Sequence, residues 1–222
     1  MGRLAVRPKV DLAFKKIFTE NENLLKDLLS ATLDIDVADI DEMHLENPDM
    51  LPGQMENKFC RFDLKIKMKG RLIDVEMQLN NRGNFQNRAL YYWSRLFSQA
   101  LPARGQYSSL PETIVICFVD FDLFGCTHYH SKFLIKEEQR NEVLTDKFAI
   151  HFFELKKLPE KINKDNKLEL WLKLLGAETY EELDEALKYV KRLNADEKVQ
   201  QWIEMLEEAW IEEASAIGHA HE

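Results

Sequence analysis

The sequence predicts an α/β protein in which a mixed β-sheet is flanked by helices and followed by an α-helical C-terminal region. Three observations support this fold class. Residues 58–79 form two runs of period-two alternation on either side of Lys69 and Gly70, which is typical of a β-hairpin. Residues 112–120 are almost entirely apolar and predict a strand covered on both faces. From Leu168 onwards, apolar residues recur at helical spacing in an acidic background.

The first part of the chain predicts two helices and a strand. Residues 9–18 form a short amphipathic helix, on which Asp11 and Lys15 lie one turn apart at the spacing of a salt bridge. Residues 21–33 predict a second amphipathic helix, and residues 40–45 predict a strand.

A two-residue loop would fix the register of the hairpin. The register pairs Ile66 with Ile73, Lys65 with Asp74, and Asp63 with Glu76. Lys65 can therefore neutralise Asp74. One face of the hairpin is apolar and predicts core contacts through Phe62, Leu64, Ile66, Ile73, Val75 and Met77.

Asp63 and Glu76 face only each other in this register, with β-carbons about 5 Å apart. Like charges directly opposite each other are destabilising, and a divalent cation between them would offset the repulsion. The alternative is a solvated hairpin face on which both acids point into water. The excess of Lys and Arg around the pair, and Gln78 on the same face, favour a site.

The segment after the hairpin predicts a helix over residues 84–101. Arg88, Tyr92, Arg95 and Gln99 form a basic and aromatic stripe, interpreted as lying opposite the apolar stripe. Such a stripe can bind phosphates and stack on bases. A solvated face with snorkelling arginines is the alternative.

Further strands are predicted at residues 127–135 and 148–155. Cys126, His128 and His130 alternate there, a pattern that can occur in zinc sites. No CxxC pair accompanies them, so a polar strand face is favoured.

Charge is distributed unevenly along the 222 residues, whose net charge is −9. Residues 176–222 hold 13 acids and 4 bases, which accounts for −9, whereas residues 58–104 hold 10 bases and 3 acids, giving +7. A positive hairpin and helix are the expected features of a phosphate-binding surface. The chain holds only three cysteines, and no signal peptide, with its charged stretch followed by an apolar one, is recognised. Both observations predict a soluble protein of the reducing cytoplasm, without a membrane segment.

The composition changes in a Lys-rich connector near residue 157, which predicts two regions, 1–157 and 158–222. In the second region, Thr179 and Glu182 form a capping box. A last helix over residues 199–217 carries a long apolar stripe, which predicts packing on the core or on a second copy in a homo-oligomer.

The motif Asp63, hairpin, Glu76-X-Gln78 resembles the core of PD-(D/E)XK nucleases. More of the chain resembles the bacterial recombination-promoting nuclease and transposase family (Rpn-like), a branch of that superfamily. The resemblance is carried by KVDLAFKKIF, RFD, VEMQ, QNRALYYWSRLF and EEASAIGHAHE. Two positions depart from the superfamily pattern: Phe62 stands where Pro is usual, and Gln78 stands where Lys is usual.

The resemblance implies a restriction-endonuclease-like core in region 1–157 and roles for named residues. Asp63 and Glu76, with the backbone carbonyl of Met77, would hold Mg²⁺ or Mn²⁺. Gln78 would position the attacking water, Lys65 would supply the missing cation, and Asp11 is a candidate further acid. Arg88, Tyr92 and Arg95 would hold the DNA.

The expected function is therefore metal-dependent hydrolysis of DNA phosphodiesters by an endonuclease associated with recombination or transposable elements. The alternative is a nuclease-like module without catalysis that binds DNA or another protein. Gln78 favours that alternative, because an amide brings no positive charge to the site.

Overall fold

In a computed structural model, the residues that the structure describes are Lys9, Phe14, Lys15, Phe18, Thr19 and the ranges 21–40, 42–46, 63–101 and 104–193. Within them, one sheet of six strands and four α-helices confirm the predicted α/β class. The strands are β1 His44–Glu46, β2 Leu64–Met68, β3 Arg71–Gln78, β4 Glu112–Val119, β5 His130–Phe133 and β6 Phe148–Glu154. The helices are α1 Glu22–Leu33, α2 Phe85–Gln99, α3 Lys167–Gly176 and α4 Tyr180–Leu193.

The strands follow the order β1-β2-β3-β4-β6-β5 across the sheet. β4 pairs in parallel with both β3 and β6, and the other neighbouring strands are antiparallel. β4 therefore lies inside the sheet, as its apolar sequence predicts, and every residue of it after Glu112 is buried. The carboxyl ends of β3, β4 and β6 lie at the same edge of the sheet.

The hairpin of β2 and β3 has the predicted register, from Leu64 opposite Val75 to Met68 opposite Arg71. Gly70 adopts φ +70°, a left-handed conformation that side-chain-bearing residues rarely adopt. The predicted apolar face is buried at each of its described positions, namely Leu64, Ile66, Ile73, Val75 and Met77.

Two strands are shorter than predicted. The strand predicted at 40–45 forms at His44–Glu46, where it pairs with β2. The strand predicted at 127–135 is confined to His130–Phe133, which pairs with β6. In both cases the available pairing partner, which depends on the rest of the sheet, sets the length.

Helix α2 covers one face of the sheet next to β3 and β4. Phe85 and Ala89 belong to a buried apolar cluster with β4 and β6, and Leu96 packs on Leu72 of β3. Burying a leucine of this kind contributes about 1.5 to 3 kcal/mol. The Trp93 indole N–H donates to the Thr113 carbonyl at 2.9 Å.

The basic stripe of α2 is predicted to lie opposite the apolar stripe, which is confirmed for exposed Gln99 and wrong for the other three members. Arg88, Tyr92 and Arg95 are half-buried, whereas Leu90 and Tyr91 are exposed. Residues four apart on a helix are offset by only about 40°, and Tyr92 is four residues before the buried Leu96. The stripe therefore borders the buried face and lies beside the sheet.

The chain forms two compact units, Met1–Asp39 with Leu158–Glu222, and Ile40–Lys157. The second contains the whole sheet and α2. The predicted division into 1–157 and 158–222 shares the boundary near residue 157, but the first 39 residues group with the C-terminal part. That division stays a prediction.

Within the first unit, two helices begin at the side-chain caps Asn21 and Asn166. The predicted capping box is confirmed: the Glu182 amide donates to Thr179 Oγ1 at 3.3 Å, and the Thr179 amide donates to Glu182 Oε2 at 3.2 Å. The Oδ2 atom of buried Asp27 accepts the indole N–H of Trp171, in α3, at 2.8 Å.

Some predictions fall outside the described residues. They concern Asp11, Phe62 and the apolar stripe over 199–217. No helix among the described residues is long and apolar enough to cross a membrane.

Candidate active site

The candidate site lies where β2 begins and β3 ends. Asp63 directly precedes β2, and two reciprocal hydrogen bonds join it to β3. Its backbone N–H donates to Glu76 Oε1 at 3.0 Å, and the Met77 N–H donates to Asp63 Oδ2 at 2.9 Å. The two carboxylates are therefore adjacent, and each is partly stabilised by a backbone donor from the other strand.

A third carboxylate, Asp74, lies on the same face of β3. It is completely buried, with 0% of its surface exposed. Neither of its oxygens meets a hydrogen-bond donor within the described part of the chain. The polar group beside it is the Glu76 carboxyl, and a hydrogen bond between two acids requires a proton on one of them.

The burial of these acids follows from their neighbours on β4. In the parallel register, Asp74 lies beside Val115 and Glu76 beside Cys117. Both β4 residues belong to the apolar cluster that α2 covers. The acidic face of the hairpin thus borders a water-excluding surface, where an uncompensated charge is costly.

Burial is the largest cause of the altered acidity here. It raises the pKa of Asp74 well above its usual range, and the negative charge of Asp63 raises it further. Burial also raises the pKa of Glu76, as do the charges of Asp74 and Asp63. The Arg88 charge acts in the opposite direction on Glu76. Such a cluster of perturbed carboxyls is characteristic of functional sites.

Gln78 is the last residue of β3 and lies at the edge of the site. Its amide nitrogen donates to the Asn80 carbonyl at 2.9 Å, and its amide oxygen accepts a hydrogen bond from Arg88 Nη2. The guanidinium carbon of Arg88 lies 4.6 Å from the centre of the Phe85 ring. The third position of the motif therefore carries an amide in contact with a cation from α2.

Lys65 contacts a different acid from the one predicted. Its ammonium pairs with Glu46 Oε2 at 2.8 Å, because β1 places Glu46 opposite Lys65 in the sheet. Lys65 still lies across from Asp74 in the register and has a small lowering effect on the pKa of that acid. The predicted neutralisation of Asp74 by direct contact is not observed.

The other two predicted DNA-binding residues follow Arg88 along α2. Tyr92 packs near Leu72, and the Arg88 guanidinium carbon lies 5.8 Å from the centre of the Tyr92 ring. Arg95 is half-buried one turn further on. All three lie on the side of the helix that borders the sheet.

The model of the PD-(D/E)XK nuclease family transposases matches residues 8–217 of the chain. The chain belongs to this family. The Rpn-like resemblance inferred from the motifs is thereby supported. Comparison with curated proteins and with solved structures finds no significant match.

Membership of the family makes the chain a member of a group of nucleases associated with transposition, for which DNA is the implied substrate. PD-(D/E)XK nucleases generally use divalent metal ions. Within the described residues, no group of three or more His, Cys, Asp or Glu side chains is arranged to hold a metal. Two carboxylates together with the main chain and water are a ligand set that is common for Mg²⁺.

The residues considered for zinc form a different arrangement. His130 Nε2 lies 3.1 Å from His151 Nδ1, and the His130 ring stacks on Phe153 at 4.4 Å. The exposed Cys126 thiol donates to the His128 carbonyl at 4.0 Å. A zinc centre therefore has no support in this part of the chain.

Sequence reasoning missed Asp74 as a member of the site, because it assigned that acid to Lys65. It also missed the contact between Arg88 and Gln78. A signal for the first was available: Asp74 stands two residues before Glu76 and so shares its face. No local pattern indicates the second, since it depends on how α2 packs.

Proposed function

We propose that the chain is a metal-dependent DNA endonuclease that hydrolyses phosphodiester bonds and is associated with recombination or transposable elements. One observation carries the proposal: Asp63 and Glu76 are held side by side by reciprocal hydrogen bonds to the opposite strand. Membership of a nuclease family agrees with it.

The donor set suits a hard divalent cation. Asp63 and Glu76 each use one oxygen for a strand-to-strand hydrogen bond, and each has a second carboxylate oxygen. Behind them, Asp74 adds a buried carboxyl without a donor in the described residues. Oxygen ligands and excess negative charge favour Mg²⁺ or Mn²⁺, with the Met77 carbonyl and water as further ligands.

The residues around this pair have complementary roles in the proposed reaction. When bound, the metal would polarise the phosphate and lower the pKa of the attacking water. Gln78 would orient that water through its amide. Arg88, Tyr92 and Arg95 would hold the strand by charge and stacking, in keeping with the +7 charge of residues 58–104. Lys65 would add positive charge from β2.

Cellular context is part of the same proposal. The sparse cysteines favour a reducing cytoplasm. The apolar stripe over residues 199–217 would provide a contact between copies in a homo-oligomer.

The decisive experiment is cleavage of supercoiled plasmid by the purified protein, with and without Mg²⁺ or Mn²⁺. Nicking or linearisation that depends on the ion, and that disappears in both D63N and E76Q, is expected. The amide variants keep the size of the side chain and an acceptor oxygen for the cross-strand hydrogen bond, so their fold should be retained. Cleavage that persists in both variants would show that the active site lies elsewhere in the protein.

A second function, a nuclease-like module that binds DNA or protein without cleaving, is favoured by the state of Gln78. Both polar atoms of its amide are already engaged, by Asn80 and by Arg88. Such a module would bind plasmid DNA in the same assay without cutting it in either ion.

A further inference from the structure

We propose that Arg88 is a positioning residue of the site, which fixes the Gln78 amide and supplies the positive charge that the third motif position lacks. The proposal rests on the nuclease function proposed above. It gives Arg88 a role distinct from phosphate binding by the rest of the stripe on α2.

The first argument is the orientation of the amide. The Gln78 oxygen faces the guanidinium, and its nitrogen faces the Asn80 carbonyl. A flipped amide would place its N–H₂ against a cation and its oxygen against a carbonyl oxygen, and both contacts are unfavourable. Arg88 therefore allows Gln78 only one orientation.

The second argument is the restraint on Arg88 itself. The guanidinium carbon lies over the Phe85 ring at 4.6 Å and near the Tyr92 ring at 5.8 Å. Cation–π contacts of this length hold a guanidinium in place and leave its charge intact. Arg88 Nε is buried without a hydrogen-bond acceptor among the described residues. An arginine kept only for stability would be expected to have its buried donors satisfied.

The third argument is electrostatic. Arg88 Nη2 donates to the Gln78 oxygen, which places the guanidinium charge at the carboxyl end of β3, two residues after Glu76. Lys65, the other cation considered for this role, is paired with Glu46 at 2.8 Å. A guanidinium from the helix thus acts at the end of β3 where a lysine on the strand would act in the superfamily pattern.

The position of Arg88 along α2 separates it from Arg95. Arg88 contacts Gln78, at the carboxyl end of β3, whereas Leu96 packs on Leu72 near the beginning of that strand. The helix therefore runs antiparallel to β3. Arg95, next to Leu96, is a matched control, because it has the same charge on the same stripe at a distance from Gln78.

The test compares R88M with R95M. Methionine keeps an unbranched apolar chain against the ring and removes the charge, and thermal unfolding verifies that both variants fold. In R88M, kcat should fall on the order of 10²-fold with less than a tenfold change in KM. In R95M, KM should rise with kcat nearly unchanged, as expected for a residue that only binds the strand.

A lysine on the strand should replace the missing charge. The double variant Q78K/R88M should regain kcat to within about tenfold of Q78K alone, since one cation near the site suffices. R88K, which keeps the charge but not the two-pronged donor geometry, should lie between the parent and R88M.

The affinity for Mn²⁺, measured from thermal shifts without DNA, gives a readout independent of cleavage. Removing a nearby positive charge should tighten Mn²⁺ binding about threefold to tenfold in R88M and leave it unchanged in R95M. If the parent binds Mn²⁺ and cleaves DNA while R88M has the kcat, KM and Mn²⁺ affinity of R95M, the role of Arg88 is refuted and the nuclease function stands. If the parent neither binds Mn²⁺ nor cleaves, the function itself fails, and this proposal fails with it.

Discussion

Two of the buried carboxylates in the sheet, Glu154 and Asp74, differ in their partners. Glu154, at the end of β6, is 1% exposed, and its Oε1 accepts the N–H groups of Leu123 and Phe124 at 2.5 and 3.2 Å. The same oxygen lies 2.6 Å from Lys157 Nζ. Asp74, in the middle of β3, is 0% exposed and meets no donor among the described residues.

The difference teaches that burial alone does not mark a functional acid. Glu154 connects the loop after β4 to the turn after β6, because backbone donors and a lysine compensate its charge. Asp74 has the Glu76 carboxyl beside it, and Lys65, which lies across from it and lowers its pKa, is paired with Glu46 instead. An uncompensated acid reduces stability unless a proton or a cation joins it. The comparison can be tested by substitutions, ordered here by their expected effect on the free energy of unfolding.

The largest effect is expected for E154A. The substitution leaves two backbone N–H groups and the Lys157 ammonium without their acceptor, which should lower the free energy of unfolding by about 3 to 5 kcal/mol. Urea denaturation measures the change. E142A is the control, since Glu142 pairs with Arg140 at the surface and such pairs contribute little. Equal losses in both variants would contradict the structural role of Glu154.

The free energy of unfolding should change in the opposite direction in D74N, measured in metal-free buffer. The amide removes a buried charge and offers a donor to Glu76, so the free energy of unfolding should rise by about 1 to 3 kcal/mol. The same change of carboxylate to amide at E154Q should lower it. A destabilised D74N would mean that Asp74 is compensated after all, and the contrast between the two acids would disappear.

His151 illustrates another way of burying a titratable group, which is to keep it neutral. Burial, together with the charges of His130 and Lys132, lowers the pKa of His151 to about 3. Below pH 6.5, His151 binds a proton in the unfolded chain but not in the folded chain. The stability that the neutral, buried His151 contributes is therefore present above pH 6.5 and is lost as pH falls.

The expected loss between pH 7 and pH 5 is about 2 kcal/mol for the parent relative to H151N. Urea titrations of both proteins at the two pH values measure it, and contributions from groups that do not interact with His151 cancel in the difference. A difference that is independent of pH would show that His151 is protonated in the fold.

The smallest effect on stability is expected for E76Q. Without metal, the free energy of unfolding should be unchanged or higher by about 0.2 to 1 kcal/mol, since one of two facing charges is removed while the acceptor for the Asp63 N–H remains. Mg²⁺ or Mn²⁺ should stabilise the parent and have little effect on the variant. Thermal unfolding with and without ion checks both points, and the reverse pattern would indicate a purely structural carboxylate.

Much of the fold was predictable because its signals are local. The hairpin register, the inner strand β4, helix α2 and the capping box of α4 were all inferred from spacing and turn residues, and all four are confirmed. Strand ends were less predictable. β1 begins at His44 rather than at residue 40, because it extends only where β2 offers a partner.

The candidate site was only partly predictable for a related reason. The approach of Asp63 to Glu76 follows from alternation within one hairpin. The ion pair between Lys65 and Glu46 depends on which strand lies outside β2. The contact of Arg88 with Gln78 depends on the face by which α2 packs on the sheet, and the orientation assigned from the stripe was wrong.

The sequence by itself determined which side chains share a face of the hairpin, since alternation with period two and a glycine at φ +70° are properties of adjacent residues. Only the tertiary structure decided which charges are compensated. β1 brings Glu46 to Lys65, and β4 places Val115 beside Asp74, where no donor is available among the described residues. The physical reason is that the free energy of a charge depends on the groups packed around it, and those groups come from distant parts of the chain.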